Sequence, residues 1–163
     1  MSWRASSRIA AWLPVIGWML AIFVGSTDLL SSGHTSRLLG PFLNWLGLSP
    51  TAADLLQRAI RKCGHLTEYA ILALLCRRAL HLQARWPWRF WSGRAAIVAW
   101  AIASLYAASD EFHQSFVPTR EACVRDVLID AAGAATALLL TRWMVTRGPN
   151  GSQWLPNPAA PER

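Results

Sequence analysis

The chain has 163 residues, of which 53% are hydrophobic and only 15% are charged, and it contains ten tryptophans. This composition is too apolar and too poor in charge for an ordinary soluble domain of this length, so it predicts an integral membrane protein in a lipid bilayer. The net charge of +7 does not indicate nucleic acid, because the Lys and Arg residues stand beside apolar runs and form no continuous basic face. We therefore predict no nucleic-acid partner.

The first predicted span covers residues 9–27. Arg4 and Arg8 precede it, and a basic segment before an apolar one is also the pattern of a secretory signal peptide. The uncharged run from Ile9 to Thr27 is longer than the roughly 7 to 15 apolar residues of a signal core, and it has the length of a transmembrane helix. We therefore predict a membrane span.

An apolar segment broken by Pro and Gly, SRLLGPFLNWLGL, follows the first span. It predicts an interfacial helix that lies along the outer membrane surface; a lid or a substrate guide is the alternative. Ser49 followed by Pro50 then predicts the N-cap and the first position of the helix that leads into the second span.

Three further spans are predicted at about residues 61–80, 95–115 and 126–146. None of them contains the roughly 20 uninterrupted apolar residues that an unaided span needs, because each carries ionisable residues. With the first span they predict an all-α fold, an integral membrane four-helix bundle formed by residues 1–146. Residues 147–163 are rich in Pro and have no apolar period, so they predict a disordered cytoplasmic tail.

The placement of Lys and Arg predicts that both termini are cytoplasmic, because these residues are more abundant in the segments that this orientation puts inside. The loop HLQARWPWRFWSGR, between the second and third spans, interleaves aromatic and basic residues. It is interpreted as an interfacial anchor, with binding of anionic headgroups as the alternative. All carboxylates except Glu162 fall on the outer half. Because Asp and Glu contribute little to topology, we interpret their position as a clue to function.

Polar residues recur at helical spacing in the last three spans. Ionisable groups in an apolar zone cost at least about 2.5 to 3.5 kcal/mol each, so they normally face the bundle interior or a water-filled cavity. We therefore predict a polar pit that opens outward between these spans, with cations from Lys62, Arg120, Arg125 and a protonated His65 or His113. Its stripes are His65, Glu68 and Tyr69 in the second span, Asp110, His113 and Gln114 in the third, and Asp126 and Asp130 in the fourth.

Structural roles are the alternative for these residues. Asp126 stands at a helix start, where a carboxylate caps free N–H groups. Arg120 with Asp126 or Glu111 is an ion pair that would tie the loop down. Nothing in the pattern identifies a nucleophile, since Ser109 and Ser115 lie in no nucleophile-elbow context.

A metal-binding site is the alternative for the same His and carboxylate residues, and we do not predict one. His65-x-x-Glu68 and Asp110-x-x-His113 supply donors, but only the second pair has the carboxylate-x-x-His order of metal-binding bundles, and no zinc-protease spacing occurs. The three cysteines, Cys63, Cys76 and Cys123, have no CxxC spacing, so they predict small buried thiols rather than a disulfide framework or a zinc site. We predict no cofactor.

Two segments, RKCGHLTEYAIL and SDEFHQSFVPTREACVRDVLIDAAGAATA, closely resemble the VanZ-like family of small bacterial membrane proteins. Thr119 stands where that family commonly has Gly, and Asp130 stands where it commonly has Asn. The resemblance implies a bacterial multi-pass plasma-membrane protein and a link to resistance against the glycopeptide teicoplanin. The family pattern is filled by Lys62, His65, Tyr69, Asp110, Glu111, Gln114, Phe116, Pro118, Arg120, Asp126 and Gly133.

The leading hypothesis is a site that binds or acts on an envelope component: a lipid headgroup, a lipid-linked wall intermediate or a lipophilic glycopeptide. If the site is catalytic, Glu111 or Asp110 is the general base, His65 its proton-transfer partner and Arg120 the anion clamp. The alternative is a non-enzymatic binding or scaffold module whose polar cluster is structural. Proton-coupled transport is disfavoured, because the charge is confined to one side. The predicted site residues are Lys62, His65, Glu68, Tyr69, Asp110, Glu111, Gln114, Arg120 and Asp126.

Overall fold

The structure, a computed structural model, describes residues 2–27, 41–42, 45–87, 90–116 and 123–147. Four long helices make up most of this part of the chain, and the described ranges contain no strand. The helices pack as a bundle in which α2 contacts each of the other three. The predicted all-α four-helix bundle is confirmed. The helices are α1 (Ser2–Ser26), α2 (Pro50–Ala84), α3 (Gly93–Gln114) and α4 (Val124–Arg147).

Three of these helices are long and apolar enough to cross a membrane: α1 from Ile9 to Ser26, α3 and α4. Their outer surfaces carry large apolar side chains, such as Ile97, Leu105 and Leu128, which are 67%, 72% and 66% exposed. An apolar surface of this extent around the bundle is stable in lipid and unfavourable in water. The chain is therefore a membrane protein.

The central helix, α2, is more polar and falls short of the same length-and-composition criterion within the described residues. Its middle is enclosed by the other helices, since Tyr69, Leu72 and Cys76 are fully buried, so it needs less lipid-facing apolar surface. Its 35 residues extend about 50 Å at 1.5 Å per residue, more than the roughly 30 Å hydrocarbon core. A crossing at residues 61–80, with the first turns of α2 outside the bilayer, stays a prediction.

The helix α2 begins where the sequence predicts it. Ser49 Oγ accepts a hydrogen bond from Ala52 N over 3.3 Å, and Pro50 occupies the first turn, where its missing N–H is not needed. The predicted N-cap is therefore confirmed. The other end of the helix stops at Arg85, whose φ of 55° lies in the left-handed region that commonly terminates helices.

Small residues allow the helices to approach closely. On α3, the buried residues Ala99, Ala103 and Ala107 recur every four positions, the spacing by which membrane helices bring their backbones together. On α4, a Cβ added to Gly133 would lie 2.5 Å from the backbone oxygen of Leu66 on α2. Only glycine therefore fits at this crossing of α2 and α4.

Aromatic side chains tie neighbouring helices through backbone carbonyl groups. Such bonds satisfy Trp and Tyr donors where no bulk water is present. They join α1 to α2, α1 to α3 and α3 to α4. The pairs are Trp18 Nε1 to Glu68 O at 2.9 Å, Tyr106 OH to Met19 O at 2.6 Å and Trp100 Nε1 to Ala131 O at 3.1 Å.

The predicted interfacial helix is described only at Pro41, Phe42 and from Trp45 onward. The amide of Leu46 donates to Phe42 O over 3.1 Å, which closes a helical turn, and Trp45 is 79% exposed. The rest of this segment lies outside the described residues, as does the predicted tail beyond Arg147. A position along the membrane surface stays a prediction.

The prediction of buried thiols is correct for Cys76, which is fully buried, and wrong for Cys63 and Cys123, which are exposed. Cys63 lies in a stretch of α2, residues 58–64, in which every residue is exposed. Cys123 precedes the first residue of α4. Neither position is covered by the bundle.

Candidate functional site

The packed faces of three helices become polar at one end of the bundle. On α3, the buried line of alanines leads into Asp110, Glu111 and Gln114, all buried. The same happens on α2 and α4, so the helices bring ionisable groups to one level. We call this end, with Ser26, residues 62–69, residues 110–114 and residues 123–130, the polar end.

Asp110 is the centre of a buried hydrogen-bond network that joins α1, α2 and α3. Its Oδ1 accepts from Ser26 Oγ over 2.5 Å. Its Oδ2 accepts from Gln114 Nε2 over 2.8 Å and from Tyr69 OH over 3.3 Å. With three donors, this carboxylate is well satisfied, which is what a buried charged group requires.

Ser26 was missing from the predicted site residues. It is the last residue of α1 and is 3% exposed, yet in the sequence it is one small polar residue at the end of an apolar span. No spacing within α1 marks it, because its partner, Asp110, is 84 positions away in the sequence.

Glu111 connects the end of α3 to the start of α4. It is 8% exposed, and its Oε1 accepts a hydrogen bond from the backbone amide of Cys123. Backbone N–H groups at a helix start lack partners within the helix, and a carboxylate there is also favoured by the helix dipole. Glu111 therefore holds the chain where it enters α4.

A pocket of about 240 Å³ lies beside the Asp110 network, between α2 and α4. Its inner wall includes His65, Gln114 and Asp130, of which Gln114 and Asp130 are buried. Gln114 also donates to Asp110, so the pocket and the network share a side chain. The volume accommodates a few water molecules or a group of the size of a phosphate with a small substituent.

Asp130 is the unusual residue of this inner wall. It is 3% exposed, and its Oδ1 has no hydrogen-bond partner among the described residues. Its Oδ2 lies 3.9 Å from His65 Nδ1, beyond hydrogen-bond distance, and that nitrogen is also without a partner in the described part of the chain. A buried carboxylate oxygen without a donor is unfavourable, so this part of the pocket is suited to a donor from outside the chain.

Asp130 was not among the predicted site residues, although its spacing in the sequence marked it. It stands four residues after Asp126 and thus shares its stripe.

The mouth of the pocket is cationic. Arg58, Arg61, Lys62 and Arg125 line it together with Asp126, and all four basic residues are exposed. Lys62 Nζ lies 2.6 Å from Asp126 Oδ1. This ion pair joins α2 to α4, and its partial exposure to solvent limits its contribution to stability.

Three other residues of the predicted polar stripes, Tyr69, Glu68 and His113, are not in the described lining of the pocket. Tyr69 is fully buried and donates to Asp110, and Glu68 is half-buried. His113 packs against Phe23 of α1, with ring centroids 4.6 Å apart, so it faces away from the pocket. Arg120 lies outside the described residues.

The potential metal donors do not converge. Among the residues that the structure describes, no group of three or more His, Cys, Asp or Glu side chains has an arrangement that could hold a metal ion. The carboxylate of Asp110 accepts from Ser26, Tyr69 and Gln114, whereas His113 faces α1.

Comparison with known proteins identifies the family. The VanZ/LLP1 family model matches residues 10–145, from the third turn of α1 to the last turn of α4, and this range includes the whole polar end. Searches among curated proteins and among solved structures return no significant match. Because the match covers most of the chain, the protein belongs to the VanZ/LLP1 family.

Proposed function

We propose that the polar end faces the outside of a bacterial plasma membrane and that its pocket binds or acts on a component of the cell envelope. The observation that carries this proposal is the pocket between α2 and α4. It combines an exposed cationic mouth with a buried carboxylate oxygen that lacks a partner among the described residues. Ionisable groups at membrane depth normally serve a function, because inserting them is unfavourable.

The distribution of charge supports the outward orientation. Arg78, Arg85, Arg94, Arg142 and Arg147 stand at the opposite end of the bundle and are exposed. A cluster of basic residues beside transmembrane segments is typical of the cytoplasmic side. With this orientation both termini are cytoplasmic, and the pocket lies at the level of the outer leaflet.

The envelope components that suit this location are lipid headgroups, lipid-linked wall intermediates and lipophilic glycopeptides. The family resemblance adds a role in resistance to teicoplanin-type antibiotics. In this proposal the pocket either retains the antibiotic's lipid-anchored target or modifies a headgroup near it.

A non-enzymatic module is the second candidate, and the Asp110 network favours it. Asp110 already accepts three hydrogen bonds, and Glu111 accepts one from the Cys123 amide. Groups engaged in this way hold helices together. The assignment of either residue as general base, with His65 as its partner and Arg120 as anion clamp, stays a prediction.

The two exposed cysteines provide a matched test. Cys123 lines the pocket, whereas Cys63 is not in its described lining. We expect Cys123→Trp to fill the mouth and abolish protection of a susceptible host against teicoplanin, and Cys63→Trp to retain it. Both variants are compared at equal protein levels in the membrane. Full protection by Cys123→Trp would contradict the proposal.

A further inference from the structure

We infer that the pocket takes a phosphate group that carries a hydroxyl-bearing substituent, with the phosphate at the cationic mouth and the hydroxyl donating to Asp130. This inference rests on the proposed function and names the ligand class of the same site.

The mouth has an excess of positive charge. Of its four basic residues, only Lys62 has a carboxylate partner within the described ranges, at 2.6 Å in Asp126. The guanidinium groups of Arg58, Arg61 and Arg125 share the same rim. Guanidinium groups donate in a planar fork that matches phosphate oxygens, so this rim favours a phosphate over a neutral group.

The inner wall of the pocket requires a hydrogen-bond donor and would repel an anion. An ionised Asp130 only accepts hydrogen bonds, so a phosphate placed against it would be repelled. Its Oδ1 is buried and lacks a donor in the described part of the chain, and the nearest cationic candidate, His65 Nδ1, is 3.9 Å from Oδ2. A hydroxyl group supplies the missing donor. The two parts of the pocket thus select a phosphate and a hydroxyl in one molecule.

The surroundings of the pocket favour a lipid as the source of this headgroup. Val124 and Leu128 flank the mouth residues Arg125 and Asp126 on the first turns of α4, and they are 78% and 66% exposed. They are four positions apart and therefore share one apolar face, along which acyl chains can lie. The cavity of about 240 Å³ admits a small headgroup and is too small to enclose a whole glycopeptide.

The test uses the full chain in detergent micelles and compares four probes that share parts of this chemistry. Phosphatidylglycerol has both the phosphate and the hydroxyls. Phosphatidylmethanol has the same phosphodiester without hydroxyls, and monoglucosyl-diacylglycerol has hydroxyls without phosphate. Glycerol phosphate has both groups but no acyl chains.

Competition against fluorescent phosphatidylglycerol measures the affinity of each probe. We expect phosphatidylglycerol to bind at least about tenfold more tightly than phosphatidylmethanol and than the glycolipid, a difference of about 1.4 kcal/mol each. This comparison needs no variant, so it does not depend on whether a substituted chain folds. Equal binding of phosphatidylglycerol and phosphatidylmethanol overturns the hydroxyl contact, and equal binding of the glycolipid overturns the phosphate contact.

Variants assign the two contacts to their residues. Asp130→Leu is expected to lower the affinity for phosphatidylglycerol to that for phosphatidylmethanol. The double substitution Arg58→Gln and Arg61→Gln is expected to weaken both lipids by a similar factor of about ten. Arg142→Gln, at the opposite end of α4, is the control and leaves both affinities unchanged. A folded Asp130→Leu chain that still prefers phosphatidylglycerol overturns the role of Asp130.

The glycerol phosphate probe distinguishes a lipid from a soluble molecule as the source of the headgroup. Weaker binding than phosphatidylglycerol supports a lipid, and equal binding supports the same headgroup chemistry from a soluble molecule. If the lipids do not discriminate while Cys123→Trp still abolishes protection, the inference fails and the proposed function stands. If the lipids discriminate while Cys123→Trp protects fully, the binding chemistry stands and the proposed function fails.

Discussion

Asp110 and Asp130 are buried to nearly the same degree, 4% and 3% exposed, yet their surroundings differ. Asp110 accepts three hydrogen bonds from three different residues. Asp130 has one oxygen without a donor among the described residues. We therefore assign Asp110 to the stability of the bundle and Asp130 to the binding of a ligand.

The assignment of Asp110 predicts a loss of stability on truncation. Asp110→Ala leaves the buried donors Tyr69 OH and Gln114 Nε2 without this acceptor, whereas Ser26 Oγ keeps Phe23 O at 2.9 Å. Each buried donor that loses its acceptor costs about 1 to 3 kcal/mol. We expect the free energy of unfolding to fall by about 2 kcal/mol or more, measured by titration with SDS in mixed micelles. Ser109→Ala is the neighbouring control, because the exposed Ser109 hydroxyl bonds only within its own helix. Equal stability of the two variants would show that the network is not structural.

The sequence predicts part of this residue-level arrangement. Helical spacing places Asp110 with Gln114 and His65 with Tyr69 on shared faces, and these residues do meet near one end of the bundle. The spacing within one helix does not show which carboxylate oxygen already accepts a hydrogen bond. That depends on contacts between helices, such as Ser26 with Asp110 and Glu111 with the Cys123 amide.

At the scale of elements, α2 and α4 form the crossing on which the pocket is built. Gly133 lies against the Leu66 backbone, one helical turn from Asp130 on α4. The close approach of the two helices at this point sets the distance from Lys62 and His65 on α2 to Asp126 and Asp130 on α4. The dimensions of the pocket therefore depend on a small residue outside it.

Gly133→Ala is expected to force the two helices apart. The new methyl group would lie 2.5 Å from Leu66 O and 2.9 Å from Leu66 Cγ, and overpacking of this kind typically costs about 1 to 3 kcal/mol. The free energy of unfolding, measured in mixed micelles, should fall accordingly.

Gly17→Ala on α1 is the matched control for this prediction. No atom lies within 4 Å of a Cβ at that position, so alanine should be neutral or stabilise the helix by up to about 1 kcal/mol. The account of the α2–α4 crossing is contradicted if both substitutions have the same effect.

Two of the four predicted spans lie close to the ends of helices, whereas α1 and α2 begin 7 and 11 residues before the predicted spans 9–27 and 61–80. The spans predicted at 95–115 and 126–146 correspond to Gly93–Gln114 and Val124–Arg147, differences of the size that frayed helix ends produce. The apolar periodicity does not show that α2 is the central helix. The enclosed middle of α2, from Tyr69 to Cys76, is apolar like the other spans, and its central place is a property of the assembled bundle.

At the scale of the whole molecule, the bundle has two chemically different ends. The polar end holds the carboxylates of Glu68, Asp110, Glu111, Asp126 and Asp130, together with the cations of the pocket mouth. The opposite end is basic and rich in tryptophan. This asymmetry is readable from the sequence, because charges are excluded from the apolar segments between the ends. The identity of the ligand cannot be predicted from the sequence, because it depends on which polar groups the fold leaves without a hydrogen-bond partner.

The orientation of the polar end is the central claim, and one native thiol tests it directly. Cys123 lies at the pocket, Cys76 is buried, and the remaining exposed thiol is removed by Cys63→Ser. Spheroplasts of a bacterium that expresses this variant are treated with a membrane-impermeant maleimide before and after lysis. We predict that Cys123 is labelled in intact spheroplasts and that lysis adds little. Labelling that appears only after lysis would contradict an outward-facing pocket.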